Sequence, residues 1–216
     1  MAVIRLGGGS LFLWSPVALT GELREAVDAL GEVRWLIAPN TLHDHFLTEW
    51  QRTYPTAALH APPRLREQRK DLRFSGDLSD GSDAPWSGEI DYVVVDGNWI
   101  TTEAVFFHAR SRTILFTDLI QQFNPGWFKG WRSIIARLDG MVTSQPRVPR
   151  KFRYAFYARD RARAALRQIA AWPADQIVMA HGSPIKKDAQ AVVRRAFEWL
   201  MPCHYGDACA CHGNYT

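Results

Sequence analysis

The sequence is poor in cysteine: three among 216 residues, all within the last fourteen. No disulfide framework can therefore hold the body of the chain together, and a reducing, cytoplasmic setting is the expectation. Long apolar runs are also missing. The opening "MAVIRLGGGSLFLWSPVAL" is interrupted by three glycines, a serine and Pro16, and no small-residue cleavage motif follows. No stretch has the ~20 consecutive apolar residues that a membrane span needs. The net charge of +4 comes with no Lys/Arg tract dense enough for a nucleic-acid stripe, and the most basic segment, "RVPRKFRYAFYARDRARAALR", is partly a helix face. Neither a nucleic acid nor a membrane is an expected partner; the oligomeric state stays open.

What is present is ordinary globular composition, 47% hydrophobic and 22% charged, in a length that suits one sizeable domain. "VIRL" and "LFLWSPV" flank "GGGS" as a hairpin. Thr20 is placed to cap the helix "GELREAVDAL", with Glu22 in its first turn and Gly31 as its stop. "VRWLIAP" reads as a strand, Thr41 to Tyr54 as a helix through Leu42, Phe46, Leu47 and Trp50, and "AALHAP" as a further strand. "PRLREQRKD" has Pro63 near the first turn of a short helix. After the loop-like "SGDLSDGSDAPWSG" come the strands "IDYVVVDG", "EAVFFHA" and "TILFTDLI", the last two joined by a tight polar turn. A helix "WFKGWRSIIARL", an irregular basic stretch, a helix capped by Asp160, the strand "QIVMAHG" and an amphipathic helix complete the body. Two clusters of strands interleaved with helices predict a sandwich of two sheets with helices outside. The domain is expected over residues 1–200, with 201–216 as a Cys/His-rich tail.

Ligand-type residues fall where these strands end. His43, Asp44 and His45 follow one strand, Asp118 ends "TILFTD", and His181 ends "QIVMAH". Polar groups at the ends of apolar strands combine a rigid base with exposure. Imidazoles with carboxylates suit Zn(II) and, with open positions, Fe(II) or Mn(II). Each element also has a plainer reading. His-Asp-His can be a solvated turn at a helix start, Asp118 a cap and His181 a turn histidine. His60 reads as structural, and His108 as a surface or core residue of its strand rather than a ligand.

The order of strand, helix, strand, His/Asp cluster, "AVFFHARSRTILFTD" and "VMAHG" resembles the metallo-β-lactamase superfamily across about Val3 to Ala191. That resemblance implies a four-layer αββα sandwich with a metal site at the edge shared by the two sheets. The first metal motif of the family runs His-x-His-x-Asp-His. With Asp44 and His45 on its final pair, Asn40 and Leu42 stand where two histidines are expected. The next histidine falls in "GNWITTEAVFF", which has none; Asn98 or Trp99 is nearest. One ligand set is thus lost, and the other is complete as Asp44, His45, Asp118 and His181. The resemblance implies one Zn or Fe (or Mn) per chain and a lost second position. "APNTLHDHFLTEWQRTYP", "FFHARSRTILFTDLI" and "HGSP" are similar, more narrowly, to an uncharacterised bacterial branch, a domain of unknown function, in which a histidine at the place of His43 is the more regular feature. His43 is therefore the alternative ligand.

The expected activity is that of a metallohydrolase on a small molecule carrying an ester, thioester, lactone or phosphoester. Asp44 or Asp118 would orient or deprotonate the attacking water, and "RVPRKFR" would anchor an anionic substrate. The alternatives are a non-catalytic relative used for binding or assembly, and a metal-handling or redox protein. The second would act through Cys203, His204, Cys209, Cys211 and His212, a dense group whose spacing matches no common zinc-finger pattern.

Overall fold

In the computed structural model, which describes residues 1–79 and 84–201, the alternation of apolar side chains along the strands builds three buried layers. β1 (Ala2–Arg5) and β2 (Leu11–Trp14) form the expected antiparallel hairpin. α1 (Gly21–Leu30) begins where Thr20 Oγ1 accepts the Leu23 N–H at 3.2 Å, satisfying a donor that the helix itself cannot, and it ends at Gly31. A side chain at residue 31 would press on the Gly9 carbonyl, so glycine is required there. β3 (Val33–Ile37), α2 (Leu47–Thr53), β4 (Ala58–Ala61), α3 (Pro63–Gln68) and β5 (Gly76–Asp77) follow. One sheet runs β1-β2-β3-β4-β5, antiparallel only at its first pair.

The second sheet runs in strict chain order: β6 (Ile90–Val95), β7 (Glu103–His108), β8 (Thr113–Phe116) and β9 (Gln176–Met179), antiparallel except for β8 and β9. Between β8 and β9 the chain forms α4 (Trp131–Leu138), α5 (Arg150–Ala155) and α6 (Arg159–Ala171), and it closes with α7 (Ala189–Phe197). Among the described residues no helix is long and apolar enough to cross a membrane.

Period-2 alternation decides which side chains meet. Phe12, Trp14, Trp35 and Ile37 of one sheet pack on Tyr92, Ala104, Phe106 and Leu115 of the other. The outward set Leu11, Leu13, Leu36 and Leu59 packs on Val27, Leu47, Trp50 and Leu65 of α1, α2 and α3. Val105, Phe107, Ile114 and Phe116 face Phe152, Leu166, Ile169 and Val193 on the far side. In β3 the register steps by two between Leu11↔Val33 and Phe12↔Trp35, so Arg34 is the extra residue of a bulge. The bulge is why Val33 faces the helices while Trp35, of the same parity, faces the second sheet. The result is the expected helix–sheet–sheet–helix sandwich.

Several boundaries differ from the sequence reading. The helix expected from Thr41 is only α2, because Asn40 Oδ1 accepts the N–H groups of Leu42 and His43 at 2.9 and 3.0 Å and turns the chain instead. α4 starts at Trp131 rather than Trp127; Pro125 and Gly130, at φ +59°, precede it. α6 opens one residue before Asp160, which lies in its first turn paired with Arg163 at 2.6 Å. The irregular basic stretch contains α5, entered from Pro149.

Candidate metal centre

β3, β8 and β9 end at one edge shared by the two sheets, and each hands a ligand-type residue to it. Asp118 stands two residues past β8, His181 two residues past β9, and His43 at the end of the Asn40 turn after β3. His43 Nε2 lies 3.2 Å from Asp118 Oδ2, His181 Nε2 lies 3.2 Å from Asp118 Oδ1, and the two nitrogens are 3.3 Å apart. An ion bonded tetrahedrally at about 2.0–2.1 Å separates its ligand atoms by about 3.3–3.4 Å. Two imidazole nitrogens at that spacing, each facing a different oxygen of one carboxylate, are a donor set that suits a divalent transition metal, with three side chains supplied.

The surroundings hold each of the three in place. Ser15 Oγ is 2.7 Å from His43 Nδ1, a contact that fixes the ring with its Nε2 edge toward Asp118 and His181. Ser15 is buried and sits at φ +52°, a left-handed conformation rare outside glycine. Asn40 Nδ2 donates to Asp118 Oδ2 at 2.7 Å and to Thr117 Oγ1 at 2.9 Å, and Gln121 Nε2 donates to Asp118 Oδ1 at 3.1 Å. Burial alone would raise the Asp118 pKa, but hydrogen bonds from His181 and His43, with their charge, hold its carboxyl well below the usual range. The Phe123 ring stacks on His181 at 5.7 Å. Any side chain at residue 182 would run into Met179 Sδ and the Gln122 carbonyl, so Gly182 lets the chain turn directly behind His181.

Beneath Asp118 lies a carboxylate that sequence reasoning missed. Glu103, fully buried at the start of β7, accepts the backbone N–H groups of Thr117, Asp118 and Leu119 at 2.8, 2.8 and 3.0 Å. Burial, and after it the Asp118 charge, pushes the Glu103 pKa up, while the amide donors favour the ionised form. Asn40 bridges to Glu103, and the Ala104 N–H donates to the Pro39 carbonyl at 2.8 Å, which ties the two sheets together here. The one sequence signal was an acid opening the otherwise apolar "AVFF".

The structure brings His43, Asp118 and His181 together and leaves Asp44 and His45 outside that cluster. Asp44 Oδ2 accepts from Arg69 Nη1 at 2.8 Å, and Arg69 is held in turn by Thr48 and Asp71. The His45 side chain is 77% exposed, 3.6 Å from Asp44 Oδ1. The physical reason is the Asn40 turn, which aims His43 inward and its two successors outward. At the positions of the missing histidines, Asn40 is spent on hydrogen bonds and Leu42 is partly exposed. Asn98 is buried with Nδ2 donating to the Phe152 carbonyl at 2.9 Å, whereas Trp99 is open to solvent. His60 packs edge-on against Trp86 and His108 pairs with Ser111; neither joins the cluster. Cys203, His204, Cys209, Cys211 and His212 lie outside the described residues.

Two cavities meet at His181. One, of about 380 Å³, is lined by His43, Asp118, His45 and the apolar Pro16, Val17 and Phe46. The other, of about 250 Å³, is lined by Gln122, Phe123, Trp127 and Ser183.

A family model described as a domain of unknown function (DUF4336) matches residues 1–126, a span that includes His43 and Asp118 but ends before His181. No curated protein matches the chain. Among solved structures, the metal-soaked Flv1 flavodiiron core from Synechocystis sp. PCC6803 is 16% identical, with a TM-score of 0.59 over 89% of this chain and 50% of that one. The chain thus spans half the length of that flavodiiron core. A metallo-β-lactamase from Pontibacter korlensis is 11% identical, with a TM-score of 0.59 over 93% of this chain and 86% of its own. The metallo-β-lactamase FIM-1 from Pseudomonas aeruginosa, in its mono-zinc form, is 13% identical, with a TM-score of 0.54 over 93% and 84%. At these identities the likeness is one of fold, the metallo-β-lactamase type.

Proposed function

We propose, since the chain belongs to the family described as a domain of unknown function (DUF4336), that it holds one divalent metal at His43, Asp118 and His181 and acts as a metallohydrolase on a small molecule. The observation that carries this reading is the mutual 3.2–3.3 Å spacing of two imidazole nitrogens and a carboxylate. Zn and Fe(II) both suit two histidines and a carboxylate. A metal in such a place acidifies a water and polarises a carbonyl or phosphoryl oxygen. The residues of this chain do the rest. Ser15 fixes the His43 ring, Asn40 and Gln121 fix both carboxylate oxygens of Asp118, and Glu103 fixes the backbone that carries it. The larger cavity offers apolar walls beside this polar end, as a small ester, thioester, lactone or phosphoester would need. Asp44, engaged by Arg69, is not free to serve as base, so Asp118 is the carboxylate of the site.

The reading of a single metal position is supported by Asn40, Leu42, Asn98 and Trp99, which stand where the family resemblance expects a second ligand set and include no histidine. The mono-zinc form of FIM-1 supports the compatibility of one ion with this fold. The test is metal content of the full-length, untagged protein by elemental mass spectrometry. About one Zn or Fe per chain is expected, lost in His43→Ala and His181→Ala and retained in His45→Ala. Metal retained by both of the first two variants overturns the assignment. If truncation after Pro202 alone removes it, the metal belongs to the Cys203–His212 segment.

A further inference from the structure

Helix α4 turns its apolar side outward. Trp131, Ile134, Ile135 and Leu138 follow the i, i+3, i+4, i+7 spacing that normally marks the buried stripe of a surface helix. All four are exposed, Trp131 by 67% and Leu138 by 63%, and Ala136 is the buried residue of the helix. Trp127, just before the helix, is 69% exposed. The stripe is uncovered among the described residues.

The charge around it has one sign. From Leu119 to Arg159 the chain carries eight Lys/Arg and a single acid, Asp139. Asp139 is already taken by α5: its carboxylate accepts the Lys151 backbone N–H at 2.7 Å and lies 3.9 Å from Lys151 Nζ. Lys129, Arg132 and Arg137 are left exposed beside the stripe, with the Arg132 guanidinium over the Trp131 ring at 5.7 Å.

We propose that α4 is an interfacial helix that lies on an anionic lipid surface, its stripe sunk at the acyl boundary and Lys129, Arg132 and Arg137 at the level of the phosphates. An apolar face rimmed by tryptophan and cations is what such a surface selects, because the rings prefer the boundary while long cationic side chains reach the headgroups. A second copy packed through the same stripe fits less well, since a twofold axis would bring Arg132 and Arg137 of the two helices together with no acid between them. The expectation of no membrane partner rests on the lack of a spanning apolar run. Lying on a surface needs only one face of a short helix.

The test is co-sedimentation of the full-length protein with phosphatidylcholine vesicles, with and without phosphatidylglycerol. Binding should require the anionic lipid and weaken as salt is raised. Ile134→Glu/Leu138→Glu and Arg132→Glu/Arg137→Glu should each lower it about tenfold or more while leaving the metal content and circular dichroism of the protein unchanged. Equal binding by the variants, or no binding to anionic vesicles, overturns the proposal. A concentration-dependent dimer that Ile134→Glu/Leu138→Glu abolishes, without vesicle binding, assigns the stripe to a second copy instead. None of these outcomes bears on the metal centre.

Discussion

Two pairs of the same residue types sit within a few residues of one another in the folded chain, and their surroundings make them different chemical objects. Asp118 and His43 lie in a buried corner, where both carboxylate oxygens and the imidazole Nδ1 have fixed partners. Asp44 and His45 lie at the rim, one tied to the part-buried Arg69 and the other in solvent. Residue type does not separate the pairs. The groups around each side chain do: His45 is exposed and must be ordered before it can bind, while Asp44, about as enclosed as His43, is already engaged by Arg69.

The sharpest way to break the contrast is to remove what anchors the buried side. Glu103→Ala leaves three buried amide N–H groups without an acceptor and should cost about 3 kcal/mol or more in urea unfolding, with loss of bound metal. Glu103→Gln, which keeps one carbonyl oxygen, should recover part of this. Next is the response of the metal-free protein to acid. A folded pKa held below the unfolded aspartate value of about 3.9 gives stability that is complete above about pH 5 and is lost as pH falls toward the folded pKa. Asp118→Asn should remove that acid limb from a plot of stability against pH; an unchanged limb would assign it to other carboxylates. Ser15→Ala sharpens the comparison from the other end. It should weaken metal affinity by about 10–100-fold in a chelator competition and leave unfolding stability nearly unchanged. Arg69→Ala should do least: it frees Asp44 at the rim, costs less than about 1 kcal/mol and leaves metal content as it was.

What the sequence made legible was whatever local rules determine. The β1–β2 hairpin, the Thr20 cap, the Gly31 stop and the tight turn between β7 and β8 were all readable because each depends on neighbours in the chain. The αββα layering was legible through the order of motifs. Which histidine faces Asp118 was not, because His43 and His45 both stand in a turn, and a turn does not announce which of its side chains points inward. The Asn40 carboxamide decides this by taking two backbone donors and ending the expected helix before it begins. Glu103 was illegible for another reason. A lone acid at a strand start reads as a solvated end, and only contact with Thr117, Asp118 and Leu119 shows what it holds. α4 was readable as a helix but its outward apolar face was not, since periodicity gives a stripe without saying what lies against it.

His43 and His181 are 138 positions apart in the chain, one carried by each sheet. A long loop of polypeptide must therefore be gathered before their nitrogens can share a partner, and the gathering is costly until both sheets exist. A metal taken up there would be captured late in folding, a rivet set after the two halves have been brought edge to edge. During refolding from denaturant, metal uptake should lag the recovery of secondary structure.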